Sequence, residues 1–204
     1  MELLDIYDEK GNHIGTEDRK IVHENALWHK TVHCWLYDKN GNVFFQRRSD
    51  RHTLYTTASG HLMAGESINE GFNREIKEEI GIDIDTKDAT LVEIVPFKMD
   101  KIKKDGSIFK DRAFANVYVC LFEGTYDDFN FDDEVSSVVL VNAKDALDLF
   151  QKGIGEIDGV EITKNENTDI INKKINIDEF LINDGETLTD KYGNVLKKII
   201  QITK

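Results

Sequence analysis

The chain has 204 residues, 40% of them hydrophobic and 32% charged, with a formal net charge of −13. No apolar run approaches the roughly 18 residues that cross a bilayer, so no membrane partner is expected. So acidic a chain also lacks the Lys and Arg surplus that grips nucleic-acid phosphates, and no nucleic-acid partner is expected.

The first residues, Met1-Glu2-Leu3-Leu4-Asp5, turn acidic early and hold no long apolar core, so they do not read as a signal peptide and a cytoplasmic protein is expected. Residues 3–8 and 13–15, joined through Glu9-Lys10-Gly11-Asn12, read as a short hairpin. The β-branched and aromatic run from Thr31 to Tyr37 predicts a strand. A turn at residues 38–42 returns it along Val43 to Arg47, and residues 56–63 are expected to be extended. Ile68, Phe72, Ile76 and Ile80 recur every fourth residue and predict a helix over 67–80, stopped by Gly81. Strands are predicted over 90–97 and 114–122. The charged segment 98–111 between them reads as an exposed, mobile loop. A strand over 135–141 is followed by Asn142, which caps a helix over 143–152 closed by Gly153. Beyond residue 155 Asn, Asp, Ile and Lys dominate. This divides the chain into a domain over 1–155 and an extension over 156–204, with a short helix over 177–182 and a final strand over 195–202. Cys34 and Cys120 lie inside apolar strand-like runs and read as buried free thiols.

The helix over 67–80 carries the chemistry. At roughly 100° per residue, Glu79 falls inside the arc swept by Ile68, Phe72, Ile76 and Ile80; Glu75 lies just beside it and Glu78 further round. An unpaired carboxylate in an apolar stripe costs several kcal/mol, and clustered like charges add to that. Divalent cations relieve the penalty, because Mg²⁺ takes oxygen ligands and keeps positions open for water and phosphate oxygens. The plainer alternative is a solvated face on which Arg74 pairs with Glu70 or Glu78 at i,i+4 spacing.

The spacing Gly60-x₅-Glu66-x₇-Arg74-Glu75-Ile76-Lys77-Glu78-Glu79-Ile80-Gly81-Ile82 resembles the Nudix box at every defined position. The resemblance implies an α/β fold, a Nudix-type α/β/α sandwich with a mixed sheet and a loop-helix-loop catalytic motif. It implies a hydrolase that cleaves a diphosphate linkage in a nucleotide-derived or other small organic substrate by attack of metal-activated water, with Mg²⁺ as cofactor and Mn²⁺ as an alternative. By match, Glu75 and Glu79 are the chief metal ligands, with Glu78 alongside and the Ser59 carbonyl completing the set. Arg74 orients Glu75, and Glu66 braces the loop. Glu75 is the first candidate for general base and Glu134, in Asp132-Asp133-Glu134, the second; Glu134 reads equally well as a surface acid. Many members are dimers, which leaves a homodimer open.

His29, Trp35, Gln46-Arg47-Arg48-Ser49 and Gly60-His61 are similar to the subgroup related to isopentenyl-diphosphate isomerase. That isomerase places a cysteine where this chain has Ser59, and glutamates where it has Phe114, Ala115 and Asn116. Isomerase activity and a non-catalytic, nucleotide-binding regulator are the alternatives to hydrolysis. His23, His29 and His61 are candidates for a second metal site, against the plainer reading of ordinary loop and strand histidines.

Overall fold

The structure is a computed structural model that describes residues 2–84, 86–102, 106, 108–164, 167–182 and 186–204. The chain opens with the hairpin β1 (Leu3–Tyr7) and β2 (His13–Asp18), then a short helix α1 (Arg19–Glu24) capped by Asp18. The strands β3 (His29–Tyr37), β4 (Asn42–Arg48), β5 (Leu54–Tyr55) and β6 (Ala58–His61) precede helix α2 (Ile68–Ile80). A long hairpin, β7 (Ala89–Ile102) and β8 (Ile108–Leu121), is followed by β9 (Val135–Asn142), α3 (Ala143–Lys152), β10 (Glu156–Lys164), β11 (Thr168–Asn176) and α4 (Leu188–Ile202). Among the described residues, no helix is long and apolar enough to cross a membrane.

The architecture is a mixed nine-stranded sheet in the order β11-β10-β9-β4-β3-β8-β7, with β5 beside β4 and β6 beside β3. Strand β3 runs parallel to β8, and the other pairs are antiparallel. Alternation along β3 shows why the sheet has a layer on each face. Trp35 and Tyr37 join the cluster that packs on α3 and α4, whereas Val32, Cys34 and Leu36 join the one that packs on α2. Cys34 and Cys120 are buried and free.

The feature that positions the site is a parting of β3 from β4. The two are paired at Tyr37–Val43; from there β6 takes over as the partner of β3 across Thr31–His61 to Cys34–Ala58, and β5 pairs β4 at Gln46–Tyr55 and Arg47–Leu54. Residues 54–61 therefore wedge into the opening, directly ahead of α2.

Three expectations are overturned. The charged segment 98–111 is not a loop where it is described, because β7 and β8 continue through it, pairing as far as Ile102–Ile108; residues 103–105 and 107 lie outside the described residues. Strand hydrogen bonds need no apolar side chains, so a hairpin this rich in charged residues carries little hydrophobic signal. The strand expected over 195–202 is part of α4, whose buried Leu188, Tyr192, Val195, Leu196 and Ile199 recur at helical spacing. The helix expected over 177–182 is a single 3₁₀ turn, Ile177–Glu179. Pro96 sits in β7, at the sheet edge, where the missing N–H breaks no interior ladder.

After residue 155, β10 pairs β9 and β11 pairs β10. An ion network ties them to β4: Glu161 receives Arg47 Nε at 2.6 Å, Lys173 Nζ at 2.8 Å and Ser137 Oγ at 2.5 Å, and Arg47 also reaches Glu179 at 2.8 Å. Burial pushes the Glu161 carboxyl up, but the bonds from Lys173, Ser137 and Arg47 outweigh it and hold the pKa at about 2. A pKa held below its unfolded value stabilises the fold above that value, and the contribution fades as pH falls towards the folded pKa. Glu161→Gln is therefore expected to destabilise the protein by on the order of 2 kcal/mol at pH 7. Urea unfolding should show the gap between variant and wild type closing as the pH is lowered from about 5 towards 2.

Candidate active site

Helix α2 is held at both ends by its own sequence. Ser67 caps the N-terminus in a reciprocal box with Glu70, at 3.3 Å from Glu70 N to Ser67 Oγ and 2.9 Å from Ser67 N to Glu70 Oε2. Gly81 ends it at φ 76°, and a Cβ there would also stand 2.9 Å from Asn130 N, so glycine is required twice over. The helix buries Gly71, Phe72, Ile76, Glu79 and Ile80 against the sheet.

One arginine organises the loop ahead of it. Arg74 donates to both Glu66 oxygens at 2.9 Å, to Glu75 Oε1 at 2.7 Å, to Glu78 Oε2 at 3.1 Å and to the His61 carbonyl at 2.8 Å. Glu66 in turn accepts Met63 N–H at 2.8 Å, so residues 61–66 hang on this fork. Glu75 is laid over Gly60 so closely that a Cβ at Gly60 would fall 2.0 Å from its carboxyl carbon.

Glu79 is 5% exposed. Its Oε2 accepts Ser59 N–H at 2.8 Å and Gln46 Nε2 at 3.2 Å. Burial pushes its pKa up to about 8; the Ser59 bond opposes this, and the charges of Glu75 and Asp132 add to it. Burial raises Glu75 as well, against the pull of Arg74. Two carboxylates thus lie against consecutive residues of β6, each short of enough donors to make its charge comfortable. All-oxygen donors in that condition suit a hard cation such as Mg²⁺. Glu78 is different: its side chain is 57% exposed and turned to Arg74. Glu134 is 62% exposed and bonded to Arg48 at 3.2 Å. Asp132, which sequence reasoning passed over as a site residue, is the acid whose charge reaches Glu79, and Arg48 is the cation that offsets it. Gln46 and Arg48 were legible only as members of the Gln-Arg-Arg-Ser string; their reach to Glu79 depends on β4 lying under α2.

The three histidines do come together. His23 from α1, His29 from β3 and His61 from β6 place ligand atoms within 4.8 Å of one another, close enough to share a metal ion. His23 Nε2 and His61 Nε2 are 3.2 Å apart. His23 Nδ1 lies 3.1 Å from the Lys110 carbonyl and His29 Nδ1 3.2 Å from that of Leu27, an arrangement that puts the proton on Nδ1 and leaves Nε2 as lone pair. His29 Nε2 and Asp111 Oδ1, 3.4 Å apart, are both buried without a hydrogen-bond partner. Burial holds His29 at about 4 and also lowers His23 and His61, so the cluster is neutral at pH 7. A cavity of about 390 Å³, lined in part by Arg19, Lys20 and Phe109, opens beside His23.

The NUDIX domain family profile matches residues 27–158. An uncharacterized Nudix hydrolase of Clostridium acetobutylicum is 36% identical over 170 residues, 78% of this chain and 77% of its own length. An isopentenyl-diphosphate Delta-isomerase of Cutibacterium acnes is 30% identical over 157 residues, 72% of this chain and 77% of its own. A crystal structure from Deinococcus radiodurans is similar at a TM-score of 0.54 and 21% identity, covering 74% of this chain and 90% of that one, a likeness of fold alone.

Removing the fork should release the loop. Arg74→Ala leaves Glu66 and Glu75 as part-buried carboxylates without their cation, which is expected to cost about 3 kcal/mol. Denaturant unfolding at neutral pH measures it, and Arg74→Lys, which cannot make the two-pronged bond, should recover only part.

Proposed function

Because the chain belongs to the Nudix family, we propose that it hydrolyses a diphosphate linkage in a nucleotide-derived or other small organic substrate, with Mg²⁺ as cofactor and Mn²⁺ as an alternative. The observation that carries this reading is the pair Glu75 and Glu79, held out of water against Gly60 and Ser59 with too few donors of their own. Glu75 and Glu79 would hold the cation, with Glu78 at the rim and the Ser59 carbonyl completing the set. When bound, the cation supplies charge neutralisation at the diphosphate and lowers the pKa of water.

The chain's own groups do the rest. Arg74 grips Glu75 through Oε1, so Oε2 is the oxygen that would take the proton of the attacking water. Burial raises the basicity of Glu75, which suits that task. Glu134 is the second candidate for this role, at present engaged by Arg48. Gln46 and Ser59 N–H fix Glu79 so that it does not swing away from the site. Where the isomerase resemblance implies glutamates, β8 carries Asn116, which is buried and donates to the Thr31 and Phe114 carbonyls. This favours hydrolysis over isomerisation.

Incubation with Mg²⁺ and a panel of nucleoside-diphosphate derivatives and prenyl diphosphates should release phosphate-containing products. EDTA should abolish turnover and added Mg²⁺ restore it. Glu79→Gln, folded by circular dichroism, is expected to lose about a hundredfold or more in kcat. A metal-replete wild type that turns over no member of the panel would sink the reading.

His23, His29 and His61 fit a second, nitrogen-seeking cation such as Zn²⁺, with Asp111 at hand, because their ligand atoms lie within 4.8 Å of one another and the Nδ1 atoms of His23 and His29 face backbone carbonyls, which leaves their Nε2 atoms as donors to a metal. Elemental analysis of the purified protein should find a transition metal that is lost in His29→Ala and kept in Glu79→Gln. A wild type free of such metal after loading with Zn²⁺ would rule it out.

A further inference from the structure

The main sheet has two edges, β7 and β11, and the sequence treats them differently. An edge strand leaves a row of backbone N–H and C=O groups that another strand can complete, and native chains blunt it with a proline, a bulge or unpaired charges. β7 carries such devices. Pro96 offers no donor, the register slips between Leu91 and Glu93, and Asn194 of α4 holds Glu93 at 3.0 Å.

β11 has none of them. It matches β10 through nine consecutive residue pairs without a slip and contains no proline. Between Thr168 and Lys174 its backbone bonds to β10 alone among the described residues. Its two lysines are drawn inward by acids of β10: Lys173 lies 2.8 Å from Glu161 and Lys174 2.7 Å from Asp158. At its middle stand Ile170 and Ile171, one on each face, 55% and 51% exposed.

Symmetry and charge then choose the occupant. Pairing β11 with the β7 edge of another copy would join unlike surfaces and grow without closing, whereas pairing β11 with itself closes at two. Residues directly opposite in an antiparallel pair share a face, so for two identical strands the two-fold axis must pass through a residue. With the axis at Ile171, residues 168–174 overlap, Ile171 meets the partner's Ile171, and Asp169 falls opposite the partner's Lys173 at both ends of the match. With the axis at Asn172, Asp169 and both lysines all face isoleucines; with it at Lys173, like charges coincide. Asp169 is exposed and has no partner of its own among the described residues. Lys173 has three donor hydrogens, and Glu161 occupies one, with Glu179 further off at 4.0 Å.

We propose that β11 is a self-pairing edge: two copies of this chain join antiparallel about a two-fold axis at Ile171, so that their sheets run on as one. The strand that recruits the second copy lies outside residues 27–158, and the contact stands apart from the hydrolase reading. An edge-only contact is small beside the roughly 1,600 Å² of a standard interface, so the dimer should be concentration-dependent.

Sedimentation equilibrium of the full chain tests this in about 0.15 M salt, where charges more than ~8 Å apart are screened. Wild type should show a monomer–dimer equilibrium. Ile171→Lys sets two like charges at the axis, and Asp169→Lys faces the partner's Lys173; each should weaken the dimer about tenfold or more. Ile94→Lys, at a position of β7 that is 54% exposed, should leave it within about threefold. Melting curves establish which variants are folded, and Asp169→Lys carries the comparison should Ile171→Lys unfold. Oxidation reads the register, because Cys34 and Cys120 are buried. Ile171→Cys should cross-link to itself about tenfold or more faster than Ile170→Cys, whose copies would lie diagonally at roughly 7–8 Å. A chain that stays monomeric up to about 1 mM overturns the proposal. So does open-ended growth, a dimer broken by Ile94→Lys but not by a folded β11 variant, or faster cross-linking through Ile170→Cys.

Discussion

A carboxylate taken out of water must find donors, and α2 presents two such groups to a strand with little to offer them. Glu79 rests on Ser59 N–H and Gln46, and Glu75 shares Arg74 with Glu66, Glu78 and the His61 carbonyl. Arg74 is therefore the keystone. It makes the loop from Gly60 to Glu66 and the helix behind it one rigid piece, and it uses up a charge that could otherwise neutralise the inner carboxylates. The parting of β3 and β4 completes the arrangement by letting β6 lie beside α2, with Ser59, Gly60 and His61 half-buried.

What was legible in the sequence was whatever a single element encodes by itself. The apolar period of α2, its Ser67 and Gly81 ends and the inward lean of Glu79 all follow from helical geometry, and the structure has them. Helix α3, with Asn142 and Gly153 at its ends, was equally readable. Helix α4 was not, because a window opened at Val195 sees only Val-Leu-Lys-Lys-Ile-Ile, rich in β-branched residues; begun at Leu188, the same segment shows its period. Strands β10 and β11 escaped notice because β11 is an edge strand with Ile170 and Ile171 exposed, so neither face carries a clean alternation.

The site was legible along the chain and illegible across it. Glu75, Glu78, Glu79 and Arg74 sit in one motif, and their mutual placement is a matter of one helix. Glu78 nevertheless faces water, and the acid whose charge reaches Glu79 from the later loop is Asp132 rather than Glu134. Gln46 and Asp111 come from two other elements, and only the packing of the sheet brings Gln46 to Glu79 and Asp111 to His29. The histidine cluster is an intermediate case: the residue types suggested a ligand set, but its closeness depends on α1 folding back over the ends of β3 and β6.

The aromatic rings beneath α4 bear on how this protein can be trimmed. Trp35 and Phe45 meet Tyr192 edge to face, Phe150 meets it tilted, and Phe180 packs on Phe45 and Phe150. A shortened chain ending at residue 158, where the family profile stops, would leave three large rings of the central strands and α3 bare to water. Crystallographic or display versions cut at that boundary would be sticky fragments. The recognisable part of the sequence is smaller than the unit that buries its own hydrophobic interior.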